Sequence, residues 1–464
     1  MTKFLLENFI KNKIIHGLPF VPNEGQQALL EHLSVFRACR DERKAFVLRG
    51  YAGTGKTSIM AAIVKALSEL QQRVVLLAPT GRAAKVLARY ATQSAYTIHK
   101  YIYRQNKLGV DTFSLTDNKN KNTLFIVDEA SMISGKRDNP TFGSGMLLDD
   151  LVKFVYSGEG CSMLLLGDDA QLSPIGSDIS PALDIDYLSG YGLSVQNYTL
   201  KQVARQAMDS GVLLNATYLR QVVEDTTNRF EYQWLPDFQQ IDGNDFVEKL
   251  ETAYSEVGME DTIILTRSNK RTNLYNQGVR ARLLWREEPI SAGDRVMISK
   301  NNYFWTKAYE NLSFLANGDM MEIVRLRNWR EMYGFHFVDA ALRAIDYDWE
   351  IDTMLWLDTL TSDSPEANYV LQQQLFERMA EDYPELAHNR RKLVETIYET
   401  PYFNALQVRF AYAVTCHKAQ GGQWKRVFVD TGHVPVENRD KNYYRWLYTA
   451  ITRATEQVYL LKNE

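Results

Sequence analysis

Residues Gly50–Thr57 read GYAGTGKT. They follow a short apolar run, KAFVLR at 44–49, and precede a helical run, SIMAAIVKALSEL, that starts at Ser58. Strand, G-x-x-x-x-G-K-T and helix in that order form the setting in which a loop turns its backbone N–H groups onto phosphate oxygens. Gly50, Gly53 and Gly55 free the backbone for that turn. Thr54 and Ser58 lie in the same nucleotide-binding stretch. Lys56 would bridge the β- and γ-phosphates and Thr57 would offer its hydroxyl to Mg²⁺. The helix that follows adds the positive end of its dipole. A glycine-rich turn of no function lacks that flanking strand and helix.

Such a loop needs a carboxylate on a neighbouring strand, and NTLFIVDEAS supplies two after an apolar run at 124–127. Asp128 would hold Mg²⁺ through water, and Glu129 would accept the proton of the attacking water. SMLLLGDDAQLSPIG repeats the plan, with a strand at 162–166, then Gly167, Asp168 and Gln171. The neutral Gln171 amide can sense a γ-phosphate without competing for the metal. Arg205 in YTLKQVARQ and Arg453 in LYTAITRATEQ are candidate cations for the transition state. A cation in that place is worth roughly 10³–10⁵ in rate. ATP hydrolysis with ATP and Mg²⁺ as cofactors is the chemistry these residues imply.

TCHKAQGGQ at 415–423 is unusual, with a hydroxyl, an imidazole, an amine and an amide ahead of two glycines. Taken with GYAGTGKTS, LAPTGRAAKVL, TIHK, DEASM, GDDAQLSPIG, LKQVARQ, TRSN and LYTAITRA, it resembles the ordered motifs of the superfamily 1 helicases, group B, RecD/Dda-like branch. The matching motifs run from about residue 24 to the C-terminus. The resemblance implies an α/β protein, with two RecA-like parallel-sheet P-loop domains in tandem, a small hairpin insertion and an SH3-like β-rich insertion. It also implies roles. Gln26 would read the adenine edge, while Gln420 and Gly421 would meet the nucleotide. Arg205 and Arg453 would close on the γ-phosphate, the latter from the second core. Pro79, Thr80, Thr97 and His99 would touch DNA from the first core, and Thr266, Asn269, Thr415, His417 and Lys418 from the second. One turn touching both ligands would make grip on DNA depend on nucleotide state.

Alternating strands and helical runs place these residues at strand ends of parallel α/β layers. The expected plan is an N-terminal extension at 1–20, a first core at 21–205, and a second core at 206–294 and 402–464. Residues 101–122 are long enough for a hairpin with a polar tip. In the family this position resembles a pin that splits the duplex, with Phe113 and Leu115 as apolar candidates to press on the fork. Residues 295–401 open with alternating strands and continue into a charged helical stretch, resembling an SH3-like barrel with helical decoration. SGKRDNPTFGS at 134–144 extends the loop after the Asp-Glu pair, with no role legible in its residues.

The 464 residues exceed what one core usually serves, and the net charge of −4 leaves room only for a local cationic groove. The three cysteines are scattered, so neither a disulfide framework nor a structural zinc site is expected. The apolar runs fall short of the roughly 18 residues that cross a bilayer, and the N-terminus lacks a signal-peptide core. A cytoplasmic monomer is expected, with single-stranded and forked duplex DNA as partners, replication or repair proteins as possible ones, and no membrane. Two other readings use the same nucleotide motifs. An ATP-gated clamp or loader would grip DNA without opening it. A small-molecule phosphotransferase would turn over ATP indifferently to DNA.

Overall fold

The computed structural model describes residues 3–39, 43–105, 113–137, 142–174, 176–203, 210–225, 230–309, 312, 314–362 and 364–462. The chain divides into two compact units. The first comprises residues 1–240, 420–423 and 434–458, and the second 241–419, 424–433 and 459–464.

The first unit opens with α1 (Lys3–Gly17) and α2 (Glu24–Ala38). It continues through β1 (Lys44–Gly50), α3 (Lys56–Glu69), β2 (Val74–Ala78), α4 (Gly81–Ala91), β3 (Ala95–Thr97) and α5 (Ile98–Ile102). A two-stranded hairpin, β4 (Tyr103–Gln105) with β5 (Phe113–Leu115), precedes β6 (Leu124–Val127), α6 (Leu147–Ser157), β7 (Ser162–Gly167), α7 (Ile185–Ser189), β8 (Ser194–Leu200) and α8 (Gly211–Glu224). Six strands form one sheet in the order β3-β2-β6-β7-β1-β8, every adjacent pair parallel. Its central strands read as near-continuous apolar runs rather than alternating, because both faces of a parallel sheet are covered; β6 and β7 are buried along their whole length. Since β6, β7 and β1 are neighbours running the same way, Asp128, Asp168 and the 50–57 loop leave the sheet at one edge. Ligands bind there in open α/β folds.

The sequence suggests an extension at 1–20, but α1 is part of this core. Ile10 and Ile14, four residues apart on one helical face, are each 1% exposed and pack in the cluster that holds Phe46, Leu48, Ile59 and Ile126. Burial of each such side chain contributes about 1.5–3 kcal/mol. The first unit also takes α13 (Lys441–Ile451), a helix expected in the second core. Tyr443, Trp446, Leu447, Tyr448 and Ile451 of α13 are all buried.

The second unit contains α9 (Asp245–Val257), β10 (Thr262–Thr266) and α10 (Asn269–Gly278), with β10 flanked in parallel by β16 (Ala413–Thr415) and β17 (Trp424–Asp430). With β9 (Phe238–Ile241) and β18 (Ala454–Leu461) the sheet order is β16-β10-β17-β18-β9. Between β10 and β16 the chain forms a closed barrel of β11 (Arg295–Ile298), β12 (Met320–Met332), β13 (Phe335–Ala344), β14 (Glu350–Trp356) and β15 (Leu406–Phe410). The barrel therefore reaches past residue 401. β15 closes it by pairing antiparallel to β11 and parallel to β14. The helical decoration is α11 (Pro365–Ala380) and α12 (Arg390–Tyr398). Leu375 and Met379 of α11 and Ile397 of α12 are packed against Phe337 and Trp356 of the barrel wall. Among the described residues no helix is long and apolar enough to cross a membrane.

Candidate functional site

The loop after β1 borders a cavity of about 290 Å³ in the first unit. Gly53, Gly55, Lys56, Thr57, Ser58, Asp128, Glu129, Asp168, Gln171, Gly421 and Arg453 line it. Gly55 caps α3 at φ +85°, a left-handed conformation in which a Cβ would lie 2.8 Å from the Gln26 amide nitrogen. Only glycine fits there. Lys56 Nζ donates to the carbonyl oxygens of Gly50 and of Tyr51, the latter at 3.0 Å, and lies 4.0 Å from Asp168 Oδ2. Thr54 is fully buried and its hydroxyl donates to Tyr51 O at 2.8 Å, bracing the loop from behind.

Asp128 and Glu129 put two carboxylates side by side at the cavity wall. Burial first, and Glu129 second, push the Asp128 carboxyl up to about 6 against the pull of Lys56 and Arg453. Glu129 has φ +51°, uncommon for a side chain of its size, at a cost of about 1–3 kcal/mol. That turn brings its carboxylate 3.6 Å from Arg453 Nη1. Arg453 is 4% exposed and held by two carbonyl oxygens, of Thr449 at 3.1 Å and of Gly422 at 3.3 Å. Arg453 thus belongs to the same compact unit as Lys56 rather than to the second. Gln171 Oε1 is buried at the wall and has no hydrogen-bond partner among the described residues. Among those residues no group of three or more His, Cys, Asp or Glu side chains could hold a metal. Thr57 and Asp128 do offer a hydroxyl and a carboxylate at one wall, the hard oxygen donors that suit Mg²⁺ alongside phosphate and water. Arg205 lies outside the described residues.

Two expected nucleotide contacts are placed differently. Gln26 is 2% exposed and both ends of its amide are engaged: Nε2 donates to Thr54 O at 3.0 Å and Oε1 accepts from Asn23 N at 3.0 Å. It closes the capping box of α2 and supports the loop instead of facing a base. Gln420 donates to Leu172 O at 2.9 Å, while Thr449 Oγ1 accepts from Leu172 N at 2.8 Å. Both therefore position the residue next to Gln171. Gly421 lines the cavity at φ +76°, where a Cβ would lie 2.7 Å from Ala83 Cβ.

Tyr448 carries a role that sequence reasoning did not assign. Its buried hydroxyl donates to Asp168 Oδ2 at 2.6 Å and accepts from Ala52 N in the phosphate loop at 2.9 Å. Its place in LYTAITRA was the available signal, but phenols in helices are mostly core residues. Tyr448→Phe should leave both buried partners unsatisfied, lowering stability by about 1–3 kcal/mol. A role in positioning the loop also predicts weaker binding of a fluorescent ATP analogue. Unchanged nucleotide affinity in a correctly folded variant would reduce Tyr448 to a packing residue.

The expected DNA contacts divide by geometry. In the first unit Pro79 and Thr80 are half-buried, and the Thr80 hydroxyl caps α4 by accepting from Ala83 N at 3.2 Å. Thr97 is 5% exposed and caps α5 by accepting from Lys100 N at 3.2 Å. His99 packs on Phe142 at 4.9 Å between ring centroids, and burial lowers its pKa to about 4, so it is neutral. Phe113 is 3% exposed and packs on the same Phe142 at 4.9 Å. The segment after the Asp-Glu pair thus docks on the hairpin root, where it covers Phe113. Leu115 remains half-buried, and the hairpin tip lies outside the described residues. In the second unit Thr266 is 0% exposed, with its hydroxyl donating to Ser268 O at 3.1 Å and bonded to Thr272 Oγ1 at 2.7 Å. It shapes the strand end, its hydroxyl engaged by protein partners. Asn269, Thr415 and Lys418 do line a common cleft. His417 is exposed beside them.

Comparison with known proteins gives two matches to family models, an AAA domain over residues 22–229 and a UvrD-like helicase C-terminal domain over 410–461. The uncharacterized protein R530 of Acanthamoeba polyphaga mimivirus is 23% identical over 497 aligned residues, covering 90% of this chain and 95% of that protein. The ATP-dependent RecD2 DNA helicase of Deinococcus radiodurans is 27% identical over 42% of this chain and 24% of its own length. The ATP-dependent DNA helicase Dda of Enterobacteria phage T4 is 28% identical over 34% of this chain and 33% of its own. The chain thus spans a third or less of the length of both helicases. Among solved structures, one of Pif1 helicases at forked double-stranded DNA aligns over 95% of this chain and 92% of that one, with 14% identity and a TM-score of 0.48.

Proposed function

We propose, from the premise that this chain is a superfamily 1, group B helicase of the RecD/Dda-like branch, that it hydrolyses ATP to travel 5′ to 3′ along single-stranded DNA and to open the duplex ahead. Lys56 and the loop amides bind the phosphates, Glu129 takes the proton of the attacking water, and Gln171 orients that water. Arg453, joined by Arg205, meets the charge that develops on the γ-phosphoryl group. Thr57 and Asp128 would hold Mg²⁺, which supplies charge neutralisation on the phosphate oxygens when bound.

One observation carries this reading. Within nine residues of chain, Thr415 and Lys418 line one cleft while Gly421 and Gln423 line the nucleotide cavity. A change at the phosphates is transmitted along this turn to the residues offered to DNA, which is the reciprocal coupling a motor requires. Strand displacement on duplexes with a 5′ or a 3′ single-stranded tail tests it. We expect release of the displaced strand from the 5′-tailed substrate only, dependent on ATP. Release from the 3′-tailed substrate alone would overturn the direction. DNA-stimulated hydrolysis with no strand release from either would leave an ATP-gated clamp.

A further inference from the structure

One face of α13 holds the loop that follows β7. Arg445, Tyr448 and Thr449 stand at i, i+3 and i+4 of the helix, so they point the same way. Arg445 Nη1 donates to Ser173 Oγ at 3.0 Å and to Asp178 O at 2.7 Å. Tyr448 holds the Asp168 carboxylate, and Thr449 Oγ1 accepts from Leu172 N at 2.8 Å. Gln420 takes the other polar group of the same residue, donating to Leu172 O at 2.9 Å. All of these residues belong to the first unit. We propose that Thr449 and Gln420 are positioning residues for ATP hydrolysis: together they grip Leu172, and Thr449 sets the spacing between Gln171 and Arg453. The proposal rests on the role given to Gln171 above and adds two side chains that act through it.

The backbone geometry shows how the grip works. A peptide unit is planar, so a hydrogen bond at its N–H restrains the orientation of the whole unit. The unit joining Gln171 to Leu172 is held through Leu172 N by Thr449. The unit before Gln171 is held through Gln171 N, which donates to Asp168 O at 3.3 Å. With both flanking planes fixed, φ and ψ of Gln171 are set and only its side-chain torsions remain. The unit after Leu172 is held in turn by Gln420. Thr449 suits this place because its hydroxyl works in both directions. It is fully buried and donates to Arg445 O at 2.7 Å one turn earlier, which leaves a lone pair for the Leu172 N–H. A valine of the same shape would leave that buried N–H unsatisfied. The carbonyl oxygen of Thr449 meanwhile accepts from Arg453 Nε at 3.1 Å. A single residue therefore ties down the backbone beside Gln171 with its side chain and the Arg453 guanidinium with its main chain. Gln171 and Arg453 both line the nucleotide cavity. Phosphoryl transfer depends on groups held to a fraction of an ångström around one phosphorus atom, so a shift of about 1 Å between them is costly.

The test uses the full chain. Thr449→Val keeps the side-chain shape without the hydroxyl, and Gln420→Met keeps the length without the donor. In each, single-turnover hydrolysis should slow by on the order of 10²-fold, while a fluorescent ATP analogue binds as it does to the parent. Thr449→Ser retains the hydroxyl and should restore the parent rate. Thr449→Val added to Gln171→Ala should cause no further slowing, because residues that act through one group do not give additive losses. Parent-like turnover in a folded Thr449→Val chain would overturn the proposal. So would a full second loss on top of Gln171→Ala, or analogue binding that weakens in step with turnover, since either makes the contact one of general packing. Should Thr449→Val fail to fold, Gln420→Met carries the same comparisons from the other polar group of Leu172. Parent-like turnover in Gln171→Ala itself would overturn the role of Gln171 and this proposal together, and leave ATP hydrolysis standing.

Discussion

Arg453→Ala should lower the ATP turnover of this chain by about 10³–10⁵-fold while ATP still binds. The size follows from where the guanidinium is held. It is almost fully buried, tied to the carbonyl oxygens of Thr449 and Gly422, and 3.6 Å from the Glu129 carboxylate at the cavity wall. A cation so fixed needs no reorganisation when charge develops on the transferring phosphoryl group, and that is where preorganised charge has its greatest effect. Arg453→Lys keeps the charge but loses the planar fork that engages both carbonyls, so an intermediate rate is expected. Single-turnover hydrolysis with parallel binding of a fluorescent analogue separates the two steps. A folded Arg453→Ala variant with parent-like turnover would remove this residue from the transition state.

The second large effect is expected at Glu129. Glu129→Gln preserves shape and hydrogen bonding but cannot accept a proton, so turnover should fall by about 10²–10⁴-fold. The left-handed backbone at Glu129 is the structural reason for choosing it over Asp128. That strain turns its carboxylate toward Arg453, whereas Asp128 accepts the Glu129 N–H at 2.9 Å and stays beside the loop. The variant should bind nucleotide as tightly as the parent and remain on single-stranded DNA without displacing a strand. Steady-state phosphate release measured beside oligonucleotide binding reads both outcomes. Undiminished release would assign the base elsewhere.

The nucleotide-binding loop, the Asp-Glu pair and Gln171 were legible because their chemistry is local. A strand, a turn and a helix are encoded by neighbouring residues, and parallel strands necessarily bring their ends to one edge. The hairpin and the helical insertion could likewise be read from segment length and helical composition, while the barrel was implied by the family resemblance, apart from the closing strand Leu406–Phe410. By itself that strand reads like any strand of a core; only its pairing with β11 and β14 assigns it to the barrel.

Tertiary structure decided where polar side chains spend their hydrogen bonds. Gln26, Gln420, Thr97 and Thr266 have suitable types for ligand contact, yet their polar atoms are taken by protein partners. For Gln420 that partner is 248 residues away in the chain. Tyr448 is the converse: an aromatic that patterning assigns to a core is hydrogen-bonded to Asp168, 280 residues earlier, and to the phosphate loop. Phe113 is covered by a Phe142 whose segment had no recognisable role. The sequence by itself determined which chemistry is present and which strand ends bear it, because both depend on near neighbours. Which of those groups remain available to a ligand was settled only in three dimensions, since a hydrogen bond already made within the protein leaves that atom with little to offer.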